Sequence, residues 1–223
     1  MVSRLIKRSN GAGIRAFISI EIPHPIREQI ALAAEPLKGV KGKMSWCSPN
    51  NMHITLKFLG ECTRGRLGSI SKNLAAIGAR HAPFKLTFGG VGVFPGPASP
   101  RIIWLGVSDG ADHLASLAKD VRASMESIGF KPESRPFRPH ITLCRVKYLK
   151  STQELGATIK NLPEAKIEPI NADHIFLMRS QLRPKGAIYT VIERICFSGQ
   201  DKSSEDNSPV DAPSENATQE ILT

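Results

Sequence analysis

Several kinds of segment are scarce or missing in this chain of 223 residues. No apolar run approaches the roughly 18 residues that a membrane-spanning helix needs, so we expect no membrane partner. The basic start, Met1 to Arg8, is not followed by an apolar stretch, which argues against a secretory signal. The four cysteines form no C-x-x-C pair, which argues against a zinc knuckle or a dithiol redox motif. These absences favour a cytoplasmic protein with reduced thiols.

A phosphate-binding loop of the ATP-dependent type is also missing. The glycine-rich segment 89–96 does not match G-x-x-x-x-G-K-[ST], and Pro95 and Pro97 interrupt any helix that would start there. We interpret this segment as a loop that connects two strands. Because no ATP-binding motif is visible in the sequence, we expect a protein that works without a cofactor.

The charge of the chain is high and unevenly distributed. The chain has 30 Lys and Arg against 20 Asp and Glu, a formal net charge of +10. Residues 199–223 contain one of those basic residues and six of the acidic ones, which leaves 29 basic and 14 acidic side chains, a net +15, in residues 1–198. A body this basic favours a polyanionic partner, above all nucleic acid. A basic surface that serves only solubility is the alternative, and charge alone separates the two poorly.

Composition divides the chain into three parts. We predict that residues 1–13 form a flexible basic extension and that residues 199–223 form a disordered acidic tail, because the tail lacks the apolar side chains that would offset the entropy of ordering. Hydrophobic residues make up 41% of the whole chain, which is within the range of globular proteins. We therefore predict one folded domain with two lobes over residues 14–198.

Hydrophobic periodicity and breaks at Gly and Pro predict alternating strands and helices. The predicted strands are 16–22, 53–59, 84–88, 101–107, 140–143, 174–179 and 188–192, and the predicted helices are 26–37, 64–79, 111–128 and 153–161. One order of elements occurs twice. Arg15 and His53 are 38 residues apart and Arg101 and His140 are 39 apart, and each interval contains a strand, a helix and a Pro-containing turn before His-Ile-Thr-Leu. This repetition predicts a duplicated, pseudo-twofold architecture.

The two His-Ile-Thr-Leu tetrapeptides are the candidate catalytic motifs. Side chains two residues apart in a strand share a face, so His53 and Thr55 point one way while the aliphatic residues of the motif point the other. The same holds for His140 and Thr142. If the two copies face each other, they line a cleft with two imidazoles and two hydroxyls.

Such a cleft suits a displacement at phosphorus. The reaction needs one group that takes a proton from the nucleophile and another that gives a proton to the leaving oxygen. Histidine titrates near neutral pH, so one imidazole can be neutral while the other is charged, and each role is typically worth about 10²–10⁴ in rate. The hydroxyls of Thr55 and Thr142 can donate hydrogen bonds to the non-bridging phosphate oxygens, where charge develops. This chemistry requires no metal ion.

Other roles for the two motifs are weaker. A single histidine in an apolar strand is more often a packed residue than a catalyst, but two histidines in identical settings sharply reduce that expectation. A zinc site is also disfavoured, because two histidines supply half of a tetrahedral ligand set and no carboxylate or cysteine stands at convincing spacing within either motif. The other four histidines, His24, His81, His113 and His174, have no repeated partner, and we interpret them as structural.

Basic side chains near the motifs are candidates for contacts with RNA. Strand alternation places Lys57 in phase with the first motif's histidine, either at the cleft mouth or at a solvated strand end. It places Cys144 in phase with the histidine of the second motif. Arg138 and Arg145 flank the second motif, and they either contact RNA phosphates or serve solubility.

At these residues the sequence resembles the two-histidine phosphoesterase superfamily. Within it, the sequence resembles the LigT-like RNA 2',3'-cyclic phosphodiesterases of bacteria and archaea, also described as 2'-5' RNA ligases. The resemblance covers residues 14–198. Besides the doubled H-x-T-L it includes segments 15–20, 46–61, 92–95, 100–107 and 135–143, and the positions Leu182, Gly186 and Tyr189.

The resemblance implies an α+β fold of two lobes, with largely antiparallel sheets lining a central cleft and helices outside. It also implies hydrolysis of 2',3'-cyclic phosphates at RNA ends, such as those of tRNA fragments, to 2'-phosphomonoesters. His53 would then be the proton donor to the leaving 3'-oxygen, and His140 would be the proton acceptor that activates water. The residue types themselves allow either direction, because the motifs are pseudo-symmetric.

Three functions follow from the sequence. The first is hydrolysis of cyclic phosphate ends by a monomeric enzyme without metal or cofactor. The second is the reverse reaction, 2'-5' ligation, which without ATP has a poor equilibrium at low substrate concentration. The third is a non-catalytic RNA-binding module on the same fold, against which the intact pair of motifs argues.

Overall fold

The computed structural model describes residues 13–184 and 186–200, so almost all of the predicted extension 1–13 and tail 199–223 lies outside the described residues. The strands are β1 (Ile14–Glu21), β2 (Gly42–Trp46), β3 (His53–Cys62), β4 (Phe84–Phe94), β5 (Ile102–Asp109), β6 (His140–Leu149), β7 (Ile170–Ala172), β8 (His174–Arg183) and β9 (Gly186–Cys196). The α-helices are α1 (His24–Ala33), α2 (Arg64–Gly78), α3 (Ala111–Ser127) and α4 (Thr152–Lys160), and short 3₁₀ helices span Glu35–Gly39 and Pro49–Asn51. None of the described helices is long and apolar enough to cross a membrane.

The described strands form one antiparallel sheet with two halves. Its order is β7-β4-β5-β6-β3-β1-β8-β9, and β2 also pairs with β6. β3 and β6, which begin with the two histidine motifs, lie side by side in the middle and share the pair Ile54–Ile141. The first lobe consists of β3 together with β1, β8 and β9. The second lobe consists of β6 together with β5, β4, β7 and β2. The predicted two-lobed, antiparallel α+β architecture is confirmed.

The helices pack on the sheet and cross between the lobes. α2 contacts β8 and β9, and α3 contacts β3, so both cover the first lobe. Ile30 of α1 and Ile159 of α4 share a cavity wall with Leu143 of β6, so these two helices cover the second lobe. In the chain, α1 follows β1 of the first lobe but covers the second lobe. α3 follows β5 of the second lobe but covers the first, so each lobe is covered by a helix from the other half. The two lobes consequently share one continuous hydrophobic core.

The glycine-rich segment expected to be a loop is a strand for most of its length, so that prediction was wrong. It continues β4 and pairs with β5. Gly89 and Gly90 together lie opposite Gly106 in a bulge, where Gly90 has φ of 71°, a conformation that glycine adopts without steric cost. At Gly92 a Cβ atom would lie 2.2 Å from the ring of Trp104. The glycines therefore permit a bulge and the close approach of an aromatic ring, and they do not form a turn.

A bulge also follows each histidine motif. The pairing of β3 with β1 skips Leu56, and the pairing of β6 with β5 skips Leu143. An extra residue reverses the alternation of side chains for the rest of the strand. The residue after each skipped leucine therefore turns into the core, and the next one, Phe58 or Arg145, is exposed.

The predicted positions of Lys57 and Cys144 were wrong for this reason, since both are buried. The side chain of Lys57 is 1% exposed, and its Nζ donates to the carbonyl of Lys131 at 3.2 Å. The same Nζ lies 3.8 Å from the Glu126 carboxylate of α3. Lys57 thus fastens β3 to the end of α3 and is not available to RNA.

Candidate active site

The two central strands bring the His-x-Thr pairs together on one face of the sheet. Ile54 lies opposite Ile141, and both are buried on the other face. In an antiparallel pair centred there, His53 is the neighbour of Thr142 and Thr55 is the neighbour of His140. The two histidines are then diagonal neighbours, for which a separation of about 7–8 Å is usual in a sheet. That spacing leaves room for one phosphate group between the imidazoles.

Both imidazoles are oriented by the same backbone hydrogen bond. The Nδ1 of His53 lies 2.7 Å from the carbonyl oxygen of Asn51, and the Nδ1 of His140 lies 2.6 Å from that of Arg138, in each case two residues before the histidine. A carbonyl oxygen can only accept, so Nδ1 carries the proton in both rings. Each Nε2 is therefore the unprotonated nitrogen of the neutral ring.

A threonine of the first motif contacts its own histidine. The Oγ1 of Thr55 lies 3.0 Å from the Nε2 of His53, where the hydroxyl can donate to the neutral ring. Thr142 is half-buried on the neighbouring strand, in the pseudo-symmetric position. The predicted phosphate-binding hydroxyls thus stand on the same face as the two imidazoles.

Aromatic rings surround both histidines. Phe17 and Tyr189 lie with their ring centroids 4.8 and 5.3 Å from that of His53. Phe94 and Trp104 lie 5.1 and 6.3 Å from His140. These rings exclude water from the imidazoles without offering them hydrogen-bond partners. They also explain why segments far from the motifs in sequence, including both halves of the hairpin β4–β5, border the site.

Burial makes both histidines less basic than usual. The pKa of His53 is lowered from 6.5 to about 4, chiefly by desolvation and also by the positive charges of Arg27, His140 and Arg145, while its bond to Asn51 opposes the shift. Desolvation also lowers the pKa of His140, while its bond to Arg138 opposes this. The influence of His140 on His53 shows that the two rings lie within electrostatic range of each other.

A support for His53 that the sequence did not predict comes from the segment before β3. Arg27 donates to the carbonyl of Asn50 at 3.1 Å and to the carboxylate of Glu21 at 2.5 Å. The side-chain amide of Asn51 donates to the carbonyl of Ala187 in β9 at 2.8 Å. These bonds hold the turn whose carbonyl fixes the ring of His53. Only the folded sheet brings these residues together, so no spacing in the sequence reveals them.

A cavity of ≈ 260 Å³ opens beside His53 in the first lobe. Glu21 and Arg27 supply its charged wall, and Met178, Tyr189 and Val191 supply much of its apolar wall. A second cavity, of ≈ 350 Å³, lies under α1 and α4 and has none of the motif histidines or threonines in its lining. The cavity next to the imidazoles thus lies on the side of His53.

The two other residues predicted to contact RNA, Arg138 and Arg145, are exposed beside the motifs. The guanidinium of Arg138 lies 6.0 Å from the ring centre of Phe94, next to His140. Burial lowers the pKa of His53 and raises the pKa of Tyr189, and the charge of nearby Arg145 adds to the first effect and opposes the second. Among residues 13–184 and 186–200, no group of three or more His, Cys, Asp or Glu side chains is arranged to hold a metal ion.

A duplicated antiparallel sheet with one His-x-Thr pair in each half defines a phosphoesterase of the two-histidine class. The model of the family described as "LigT like Phosphoesterase" matches this chain twice, over residues 20–104 and 105–189, so that each match contains one motif. The chain belongs to this family.

Several relatives cover almost the same span. The RNA 2',3'-cyclic phosphodiesterase of Aquifex aeolicus is 35% identical over 191 residues, which are 83% of this chain and 98% of that protein. The RNA 2',3'-cyclic phosphodiesterase of Methanothermobacter thermautotrophicus is 31% identical over 180 residues, which are 81% of this chain and 97% of that protein. The crystal structure of E. coli LigT complexed with 3'-AMP superposes with a TM-score of 0.69 at 26% identity, over 83% of this chain and 99% of that one.

Titration of the two imidazoles by NMR tests the electrostatics of the site. Without ligand, we expect His53 to titrate near pH 4 and to carry its proton on Nδ1 when neutral, because burial disfavours the charged ring. Inorganic phosphate should raise the pKa of both histidines, since an anion between them stabilises the imidazolium. A His53→Gln variant identifies the resonance. A His53 that titrates at or above 6.5 without ligand would be inconsistent with the described environment.

Proposed function

We propose that this protein hydrolyses 2',3'-cyclic phosphates at RNA ends to 2'-phosphomonoesters by acid–base catalysis with two histidines and without a metal ion. The observation that carries this proposal is the position of His53 and His140 on adjacent strands, each with Nδ1 bound to a backbone carbonyl, which leaves Nε2 as the ring atom for proton transfer. The names of the relatives from Aquifex and Methanothermobacter support the same substrate class.

The proposed reaction is one displacement at phosphorus. His140 takes a proton from water through Nε2 while the water oxygen bonds to phosphorus. His53 gives a proton from Nε2 to the 3'-oxygen as its bond to phosphorus breaks, and the phosphate stays on the 2'-oxygen. Thr55 and Thr142 donate hydrogen bonds to the non-bridging oxygens, where negative charge develops. His140 has gained a proton and His53 has lost one. In the product complex His140 is therefore charged and His53 neutral, the reverse of the substrate complex.

The low basicity of His53 fits a proton donor. An imidazolium with a low pKa gives up its proton more readily than an ordinary one, which favours protonation of an alkoxide leaving group. The negative charge of the bound phosphodiester restores the proton that burial disfavours in the free protein, because an opposite charge within a few ångströms raises the pKa of a histidine. Binding and charging of the donor are thus coupled.

The surroundings of the imidazoles support an RNA substrate over a small phosphodiester alone. Arg138 and Arg145 are exposed next to the motifs, where each can neutralise a neighbouring phosphate. Phe58 is 62% exposed on the cleft face, near the ring of Phe17. An exposed aromatic side chain is suited to stack on an unpaired base. The cavity beside His53 has room for the terminal nucleoside.

The runner-up activities use the same residues. 2'-5' ligation is the reverse of the displacement, with a 5'-hydroxyl in place of water, and water at its bulk concentration favours hydrolysis. A non-catalytic RNA-binding module would not need a backbone carbonyl to fix the tautomer of either imidazole. We further propose that the enzyme is a cytoplasmic monomer whose folded part spans residues 14–198, with a flexible basic extension before it and a disordered acidic tail after it.

Replacing either histidine should remove the activity. With 2',3'-cyclic CMP and with a cyclic-phosphate-ended oligonucleotide in EDTA, we expect His53→Ala and His140→Ala each to lower kcat/KM by about 10²–10⁴, because each loses one proton transfer. The wild-type product should be the 2'-phosphate, identified by chromatography against both isomers. His24→Ala, at an exposed position on α1, is the matched control. Turnover like that of the wild type in either variant, or loss of wild-type activity in EDTA, would refute the mechanism.

A substrate with sulfur in place of the 3'-oxygen distinguishes the donor from the acceptor. A thiolate is a good leaving group without protonation, so His53→Ala should regain most of its lost rate, relative to the wild type, on this substrate. His140→Ala should remain as impaired as on the oxygen substrate, because water still needs its base. If His140→Ala instead regained its rate on the sulfur substrate, His140 would be the proton donor and His53 the acceptor. The two-histidine mechanism itself would still hold.

A further inference from the structure

A second group of reactive side chains lies at the far end of the hairpin β8–β9. The Sγ of Cys196 lies 3.1 Å from the Nε2 of His174, and the Nδ1 of His174 lies 2.5 Å from the Oδ1 of Asp173. The guanidinium of Arg194 lies 3.2 Å from the same Nδ1. None of these four side chains takes part in the proposed phosphodiester chemistry.

The register of the hairpin creates this group. His174 is the first residue of β8 and lies directly opposite Cys196, the last residue of β9. Cross-strand partners present their side chains on one face within about 4.5–5.5 Å, so the ring and the thiol meet without any loop rearrangement. Asp173, the residue before the strand, then reaches the other nitrogen of the ring.

The hydrogen bonds arrange these side chains as nucleophile, base and orienting carboxylate. The contact of Nδ1 with Asp173 is the shorter of its two, and a carboxylate accepts, so the Nδ1 of His174 carries the proton and its contact with Arg194 is not a hydrogen bond. The Nε2 of His174 then presents a lone pair to the thiol. A cysteine within reach of a histidine that a third group orients is the usual arrangement of an activated thiol.

Cys196 is also the accessible cysteine of the part of the chain that the structure describes. Cys62 and Cys144 are buried and Cys47 is half-buried, while Cys196 is exposed. Burial raises the pKa of the Cys47, Cys62 and Cys144 thiols and so makes them poorer nucleophiles at neutral pH. Exposure and an oriented base are therefore combined at one thiol.

We propose that Cys196 is a modification site that exchanges with small-molecule disulfides of the glutathione class. His174 takes the proton of the Cys196 thiol, and the thiolate attacks one sulfur of the disulfide. A new S–S bond joins Cys196 to that sulfur while the old S–S bond breaks, and the leaving thiolate receives the proton from His174. The cysteine sulfur is oxidised, one sulfur of the small disulfide is reduced to a thiol, and no other reactant is needed.

The site is separate from the phosphodiester cleft. Met178, which lines the cavity beside His53, is four residues further along β8 than His174, about 13 Å at the rise of an extended strand. Modification of Cys196 therefore leaves the imidazole pair intact. A Cys196→Ser variant should keep the phosphodiesterase activity of the unmodified protein.

The test is the rate of mixed-disulfide formation with oxidised glutathione on the full chain, followed by intact mass and located by peptide mapping. We expect one adduct, on Cys196, which forms at least about tenfold faster in the wild type than in His174→Gln at pH 7. Asp173→Asn should fall between them. The rate of alkylation by iodoacetamide should increase with pH in both proteins, and we expect the increase to begin at a lower pH in the wild type than in His174→Gln. A merely structural histidine would not cause this shift.

Several outcomes would overturn the proposal. A first adduct on Cys47, or equal rates in the wild type and in His174→Gln and Asp173→Asn, would show that Cys196 is an ordinary surface thiol. Unfolding midpoints of the two variants and retained phosphodiesterase activity confirm that they are folded, so a slow rate reports the thiol and not the fold. Protection of Cys196 from both reagents in the native wild type would equally refute the site.

Discussion

The pairing of Ile54 with Ile141 is the constraint on which the candidate active site depends. It joins the two lobes at the centre of the sheet and puts both motifs on adjacent antiparallel strands. A shift of either strand by one residue would turn its imidazole and hydroxyl into the core and its aliphatic residues into the cleft. The burial of Ile54, Leu56, Ile141 and Leu143 therefore fixes the register, and the register fixes the chemistry.

The environment of the imidazoles balances two requirements. Aromatic walls and backbone carbonyls hold the rings in place, and the same walls remove the water that would stabilise their charged forms. The free site therefore favours neutral imidazoles, and in the proposed reaction a phosphodiester supplies the charge that makes one of them an acid. Pseudo-symmetry alone cannot assign the roles. The differences lie outside the motifs, in the Arg27 support behind His53 and the exposed Arg138 beside His140.

The sequence predicts the duplicated plan, most strands and helices, and the four residues of the His-x-Thr pairs, because these depend on local periodicity and on a repeat that is visible in one chain. It does not predict the bulges at Leu56 and Leu143, because a leucine at a bulge and a leucine in a regular strand look the same in the sequence. That omission placed Lys57 at the cleft mouth or at a solvated strand end, whereas it is buried against α3. The glycines of β4 are similarly ambiguous between a loop and a strand, because the sequence does not show that an aromatic ring packs against the backbone there.

Contacts between distant segments are the other part that the sequence does not reveal. Tyr189 and Phe94 reach the two histidines from β9 and β4, and Asn51 is held by a carbonyl of β9. His174, interpreted from the sequence as structural, meets Cys196 only because the hairpin register places them opposite each other. A pattern along the chain shows which face a residue occupies, but its neighbours across the sheet follow from the register.

The most direct test of the paired imidazoles is a crystal structure of the protein with inorganic phosphate. One phosphate should lie between the motifs, with the Nε2 atoms of His53 and His140 each about 2.7–3.2 Å from one of its oxygens. Thr55 and Thr142 should contact the remaining oxygens. A phosphate that binds one imidazole while the other Nε2 has no contact with it, or a phosphate bound away from both, would contradict the claim that two equivalent strands hold one phosphorus between them.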